Sequence, residues 1–265
     1  MKARYIDILL PLGTLVLVLT LWDISVRWFG VPNYLLPPPL DVFKAFWHGY
    51  STGLLWPHLL TTAAETLFGF ILGCSVALVL GGLVAEYKLL EKAVYPFVVA
   101  LQSMPKVALA PLLLVWFGFG LMSKVVLVAL ICFFPMFVNV VSGLRSARPE
   151  LIDLYTAFSA TRFQIFKDIK LPSALPAIFA GLQIAIVLSL LGAVVGEFVA
   201  SQQGLGSLIQ AASLNFDLPT MFACIVTLAL MGAFATMTMQ YIQRRALFWE
   251  TGSRSTTSKT KGNAA

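Results

Sequence analysis

Long apolar runs recur along this chain from end to end, each close to the length a helix needs to cross a lipid bilayer. We read six spans, at residues 7–27, 59–84, 91–115, 122–144, 174–199 and 217–243. A helix of about 20 residues suits that role because it satisfies its backbone N–H and C=O groups internally, where no water can reach them. Composition agrees. Charged residues make up 11% of the 265 and apolar residues 59%, whereas a water-facing domain carries about 25% charged residues. The pattern predicts an all-α membrane protein.

The placement of positive charge orients the spans. With the N-terminus inside, all but four of the 18 Lys and Arg fall in inner segments. Arg27, Lys44 and Lys124 fall outside, and Lys106 lies near or within a span. Such a bias predicts six spans, N-in and C-in. It also explains the net charge of +6 without nucleic acid, since no basic stripe is interleaved with exposed aromatics. Cys74, Cys132 and Cys224 all lie inside apolar runs and suggest neither a disulfide framework nor a metal site. His48 and His58 have no partners at metal-ligand spacing.

Lys2 and Arg4 ahead of an apolar stretch superficially resemble a signal peptide. Asp7 interrupts it early, however, the run continues to about Trp22, and no small-x-small cleavage site follows, so an uncleaved first span is expected. The chain then divides into a first transmembrane helix (1–28), an outer loop with an interfacial helix from Asp41 (29–58), a five-helix core (59–245) and a disordered inner tail (246–265). Thr62-x-x-Glu65 reads as a capping box opening the second span. Gly69, Gly73, Gly81 and Gly82 thin that span for close helix packing. Pro105 and Pro111 interrupt the third span, and Gly118-Phe119-Gly120 makes the turn into the fourth. Broken helices at membrane depth are tolerated only against protein or a water-filled cavity, which hints at a pathway.

Residues 145–173, RSARPELIDLYTAFSATRFQIFKDIKLPS, are too polar for lipid and too patterned for a linker. Pro149 and Glu150 suit the first turn of a helix. Leu151, Leu154, Tyr155 and Phe158 then form an apolar stripe at i, i+3, i+4 and i+7. Thr161-x-x-Gln164 caps a second short helix, and Leu171-Pro172 should end it before the fifth span. The expected device is two short helices joined by a compact turn at Ser159-Ala160. Its protruding apolar stripe calls for a docking partner.

These residues carry a family resemblance. The chain resembles the transmembrane subunits of binding-protein-dependent ABC importers, in the group of nitrate, taurine, aliphatic sulfonate and pyrimidine-precursor permeases. Their inner-loop signature, E-A-A-x3-G-x9-I-x-L-P, aligns on Leu171-Pro172. It then places Ile169 on the family Ile, Ser159 on the Gly, and Asp153, Leu154 and Tyr155 on E-A-A. SMPKVALAPLLLVWFGFG at 103–120, LPSALPAIFAGL at 171–182 and GEFVASQQGLGSLI at 196–209 extend the likeness, which covers roughly residues 55–245. The resemblance implies that two permease subunits pair as a homodimer in the bacterial inner membrane. Each would insert its loop into a separate ABC ATPase subunit, and a periplasmic or lipid-anchored solute-binding protein would deliver the solute. ATP and Mg would be bound by the ATPase and no cofactor by this chain, which lacks a G-x-x-x-x-G-K-[ST] phosphate loop. Asp153, Tyr155, Thr156, Ser159, Ala160, Arg162 and Phe163 are the expected docking residues. The solute would be a nitrate-, sulfonate- or taurine-like anion or a heterocyclic vitamin precursor.

Glu65, Gln102, Met104, Lys106, Asn139, Gln183 and Glu197 are the candidates for a pathway or gate, because ionisable and polar groups inside a bilayer are costly and default to function. Against that stand ordinary roles. Glu65 could cap a helix, Lys106 could snorkel, and Gln102, Asn139 and Gln183 are expected to make interhelical hydrogen bonds. No HExxH, G-x-S-x-G or paired-carboxylate motif supports an intramembrane enzyme. A secondary transporter or channel without an ATPase partner would have no use for the 145–173 loop.

Overall fold

A computed structural model describes residues 2–32 and 35–248. The expected tail lies, from residue 249 on, outside the described residues. All regular structure among them is helical: α1 Lys2–Trp28, α2 Pro39–Ser51, α3 Leu55–Glu86, α4 Lys88–Gln102, α5 Ala110–Phe117, α6 Leu121–Arg145, α7 Pro149–Ala157, α8 Arg162–Ile165, α9 Leu171–Ala200, α10 Leu205–Leu214 and α11 Leu218–Ala246. Five stretches are long and apolar enough to cross a membrane, or six if the bent pair of α4 with 106–117 counts as one span. That pair falls where Pro105 is expected to interrupt the third span. It bends by 91°, because Pro105 has no N–H to give the turn before it and the chain restarts as a 3-10 turn at Lys106–Leu109.

Two expectations are corrected. Thr62-x-x-Glu65 does not start a helix, because α3 begins at Leu55 and runs through both residues. The Thr62 hydroxyl instead donates to the His58 carbonyl at 3.1 Å. Nor does Leu171-Pro172 end the second loop helix, since the chain stays helical from Arg162 to Val199. Pro172 cannot donate to the carbonyl of Asp168 and would clash with it. The π-helical turn at Phe166–Lys170 opens the backbone at that point and lets the helix continue.

The helices form two compact units. One contains α1, α2, the start of α3, α10 and the first part of α11. Pro38 and Pro39 stand at the entry to α2, where a missing N–H costs nothing. The core of this unit is Leu55, Leu205, Ile209 and Cys224. Tyr50 closes it by edge contact with Trp56, 5.4 Å between ring centres. The start of α3 also caps α10. The Thr62 hydroxyl oxygen accepts the Leu205 N–H at 2.8 Å, satisfying one of the donors a helix N-terminus leaves open.

The other unit is built around α6, whose Val128, Cys132, Met136 and Phe137 are fully buried. Close approach is what the small residues permit. A Cβ added at Gly73 would overlap the Ala129 carbonyl oxygen, and one at Gly69 would overlap the Val128 side chain. Gly81 likewise meets Val140, whereas Gly82 faces open space. On its other side α6 meets α9 through Gly143, Gly181, Gly192 and Gly196. Glycine faces of this kind let helix backbones pack by van der Waals contact where lipid supplies no hydrophobic drive.

Candidate functional site

The 145–173 segment is an elbow made by two capping motifs in succession. At the end of α7 the Ala160 N–H donates to the Tyr155 carbonyl and the Ser159 N–H to that of Thr156, each at 3.0 Å. This is a Schellman arrangement, and it requires a left-handed residue at Ser159, whose φ is +58°. Glycine is the usual occupant of that position, and the family signature has its glycine there. Two residues after Ser159, Thr161 caps α8. Its hydroxyl oxygen accepts the Gln164 backbone N–H at 3.3 Å, while the Gln164 side-chain oxygen Oε1 accepts the Thr161 backbone N–H at 2.7 Å. The expected turn and capping box are both present.

Around the elbow the apolar side chains stay uncovered. Phe158 is 80% exposed and Phe163 71%, with Leu151 and Leu154 also exposed. The predicted docking residues fall on two faces. Tyr155, Ser159 and Ala160 line a hollow of about 340 Å³ with Phe158, Gln164 and Asp168. Arg162 and Phe163 line a groove of about 500 Å³ at the end of α3 with Glu86, Tyr87 and Phe166, and Arg162 also shares a hollow with Thr156 and Ala160. Asp153 is exposed and makes no ion pair among the described residues. Thr156 bonds within its own helix, its hydroxyl donating to the Ile152 carbonyl at 2.7 Å. The segment is tied to the bundle by Lys170 to Glu86 at 2.7 Å and Arg145 to Glu91 at 2.8 Å.

A second constellation lies inside the bundle. Glu65 on α3 and Glu197 on α9 are fully buried, and Lys124 on α6 nearly so. Lys124 Nζ is 2.5 Å from Glu65 Oε1 and 2.7 Å from Ser201 Oγ. The Glu197 carboxyl stands within electrostatic reach of that of Glu65. The ammonium thereby ties α6 to α3 through Glu65 and to the end of α9 through Ser201. The charge count sets Lys124 among the outer loop cations, whereas the structure buries it as the counter-ion of Glu65. No sequence signal singles out Lys124. Its position in the first turn of α6 resembles that of any interfacial lysine.

The remaining polar candidates separate. Gln183 donates to the Gln243 side chain across α9 and α11, as interhelical bonding predicts. Asn139 instead donates to the Pro135 carbonyl one turn back on α6, at 2.8 Å. Gln102 uses its backbone, its carbonyl accepting from Lys106 Nζ at 2.9 Å. Met104 is exposed in the break between α4 and the 3-10 turn.

Residues 69–247 match the family model described as binding-protein-dependent transport system inner membrane component. The chain belongs to that family. This permease is 42% identical over 237 residues to the riboflavin transport system permease protein RibX of Chloroflexus aurantiacus, covering 89% of this chain and 88% of that one. It is 35% identical to the formylaminopyrimidine transport permease protein ThiX of Halalkalibacterium halodurans, over 94% and 98% of the two chains. The putative aliphatic sulfonates transport permease protein SsuC of Escherichia coli is 31% identical, over 91% and 90%. Among solved structures, a permease chain from inward-facing conformations of the MetNI methionine ABC transporter has the same fold. The TM-score is 0.65 at 21% identity, covering 73% of this chain and 97% of that one. The permease is a multi-pass inner-membrane subunit of an ABC importer and not itself an enzyme. The ATPase of such an importer is a separate subunit.

Proposed function

We propose that this permease works as a homodimer of N-in, C-in subunits, with α4 and the 106–117 segment acting as one broken third span. Each 145–173 elbow docks into a separate ATPase that binds ATP and Mg. A periplasmic or lipid-anchored binding protein supplies the solute. The observation that carries the docking is an apolar elbow, Phe158 and Phe163, held out from the bundle between two caps. Rigid caps suit a coupling element, because force delivered at Ser159–Thr161 moves α9 without being lost in a flexible loop. Tyr155, Ser159, Ala160, Arg162 and Phe163 make the contact, with Asp153 and Thr156 at its edge. The solute is a small heterocyclic vitamin or vitamin precursor. The riboflavin and formylaminopyrimidine names of relatives at 42% and 35% identity support that choice over the sulfonate of a relative at 31%. Gln102, Met104 and Lys106 line its route, while Glu65, Glu197, Asn139 and Gln183 hold the helices that form it.

Tagged permease purified from its native membranes in mild detergent tests this reading. An ATPase with a phosphate loop should co-purify and be lost when residues 150–163 are scrambled. The co-purified binding protein should be stabilised by riboflavin or a formylaminopyrimidine more than by an alkanesulfonate. Folded permease without an ATPase, under conditions that preserve complexes, would sink the coupling assignment.

A further inference from the structure

Lys106 differs from the three cations that tie the bundle together. Lys124, Arg145 and Lys170 each pair with a carboxylate, whereas Lys106 makes no ion pair among the described residues. Its ammonium has two weaker supports. It donates to the Gln102 carbonyl at 2.9 Å and lies over the Phe134 ring, 4.7 Å from the centroid. Phe134 fixes its depth, for it lies near the centre of the 25-residue α6, a helix about 37 Å long at its normal rise. An ammonium beside that ring is therefore close to the bilayer midplane, too deep to reach either headgroup layer by extending its own stem. Snorkelling does not account for it.

The same place carries an independent sign that it does not face lipid. The backbone is broken between Gln102 and Lys106, with a 91° bend, and Gln102, Ser103 and Met104 are exposed. A lipid-facing break would leave backbone groups unsatisfied, so such breaks occur where protein or a water-filled path meets them. A carbonyl and a ring face together balance less than a full positive charge.

We infer that Lys106 is an acceptor-binding station at the midplane of the solute route, recognising an electron-rich oxygen group, anionic or carbonyl, and turning cationic solutes away. The assignment rests on the importer reading for its purpose, and on the Lys106–Gln102–Phe134 geometry for its chemistry. The ring carbonyls of a heterocycle and the oxygens of a sulfonate present the same feature to an ammonium, namely acceptors without donors.

The test needs no knowledge of the solute. In the full complex in proteoliposomes, Cys74, Cys132 and Cys224, all buried, are replaced by alanine and Met104→Cys is introduced. The reaction rates of the new thiol with an anionic sulfonatoethyl and a cationic trimethylammonioethyl methanethiosulfonate are then compared. The anionic reagent should react faster, and Lys106→Gln should cut the ratio roughly tenfold or more, the factor about 1.4 kcal/mol of charge preference gives. Lys106→Arg should keep the preference, which separates loss of charge from loss of fold. An unchanged ratio in Lys106→Gln, or an introduced thiol silent to both reagents, would overturn the station. Co-purification of the ATPase is scored on the same samples. Its absence alone would overturn the importer reading while the ratio still decides the chemistry at Lys106.

Discussion

Lys124 Nζ and Glu65 Oε1 meet at 2.5 Å where neither side chain has appreciable contact with solvent, and the Glu197 carboxyl stands beside the pair. Two acids and one ammonium share the site, so its members are not equivalent. Removing the lysine leaves two carboxyl groups facing each other in a dry environment. Removing the Glu65 charge as Gln relieves its repulsion with Glu197 and leaves Lys124 its bond to Ser201. Lys124→Met is therefore expected to destabilise the purified permease by about 3–5 kcal/mol, the cost of a broken buried pair. Glu65→Gln should cost markedly less. Thermal denaturation in detergent checks the order, and equal losses for the two variants would contradict it.

The elbow predicts a different asymmetry. Ser159 is left-handed with φ +58°, a conformation in which a Cβ costs about 1–2 kcal/mol that glycine avoids. Ser159→Gly should keep uptake and raise the stability of the elbow, read as slower proteolysis at 150–165. Ser159→Val should do the reverse. It should uncouple ATP hydrolysis from uptake while the protein still inserts into the membrane. Normal uptake by the valine variant would remove the elbow from the mechanism.

The α3–α6 contact can be tested with two glycines of α3, Gly73 and Gly82. A methyl group at Gly73 would overlap a backbone oxygen of Ala129, which cannot yield as a side chain can, while at Gly82 it would meet nothing. Gly73→Ala should cost about 1–3 kcal/mol through overpacking. Gly82→Ala should fall within about 0.5 kcal/mol of wild type. Melting temperatures of the two variants, measured side by side, give the comparison.

The Gln183–Gln243 hydrogen bond joins α9 to α11. Side-chain hydrogen bonds between membrane helices average about 0.6 kcal/mol, so Gln183→Leu should lower stability by less than about 1 kcal/mol. A loss of several kcal/mol in a denaturation series would show that Gln183 carries more than this bond.

Much of the elbow is legible without any coordinates, because its determinants are local. Pro149 starts a helix, Thr161 and Gln164 are spaced for reciprocal caps, and Ser159 falls on the family glycine. Each of these acts within a turn or so of itself. Sequence and structure part where local signals meet long-range ones. Thr62-x-x-Glu65 has the form of a capping box, yet α3 already passes through it. Its hydroxyl is taken by His58 and Leu205 and its acid by Lys124. Leu171-Pro172 has the form of a helix stop, yet a π-helical turn absorbs the proline.

The sequence by itself determined a chain of membrane-crossing helices and an exposed two-helix elbow. Burial of apolar length and the capping of helix ends depend on neighbours a few residues away. Only the tertiary structure decided which charges are paired. Lys124 and Lys106 look alike in sequence, each a lone lysine among apolar residues, and what distinguishes them is a carboxylate on another helix. That carboxylate is 59 residues from Lys124, a separation that no local pattern encodes and that close packing of α3 on α6 removes.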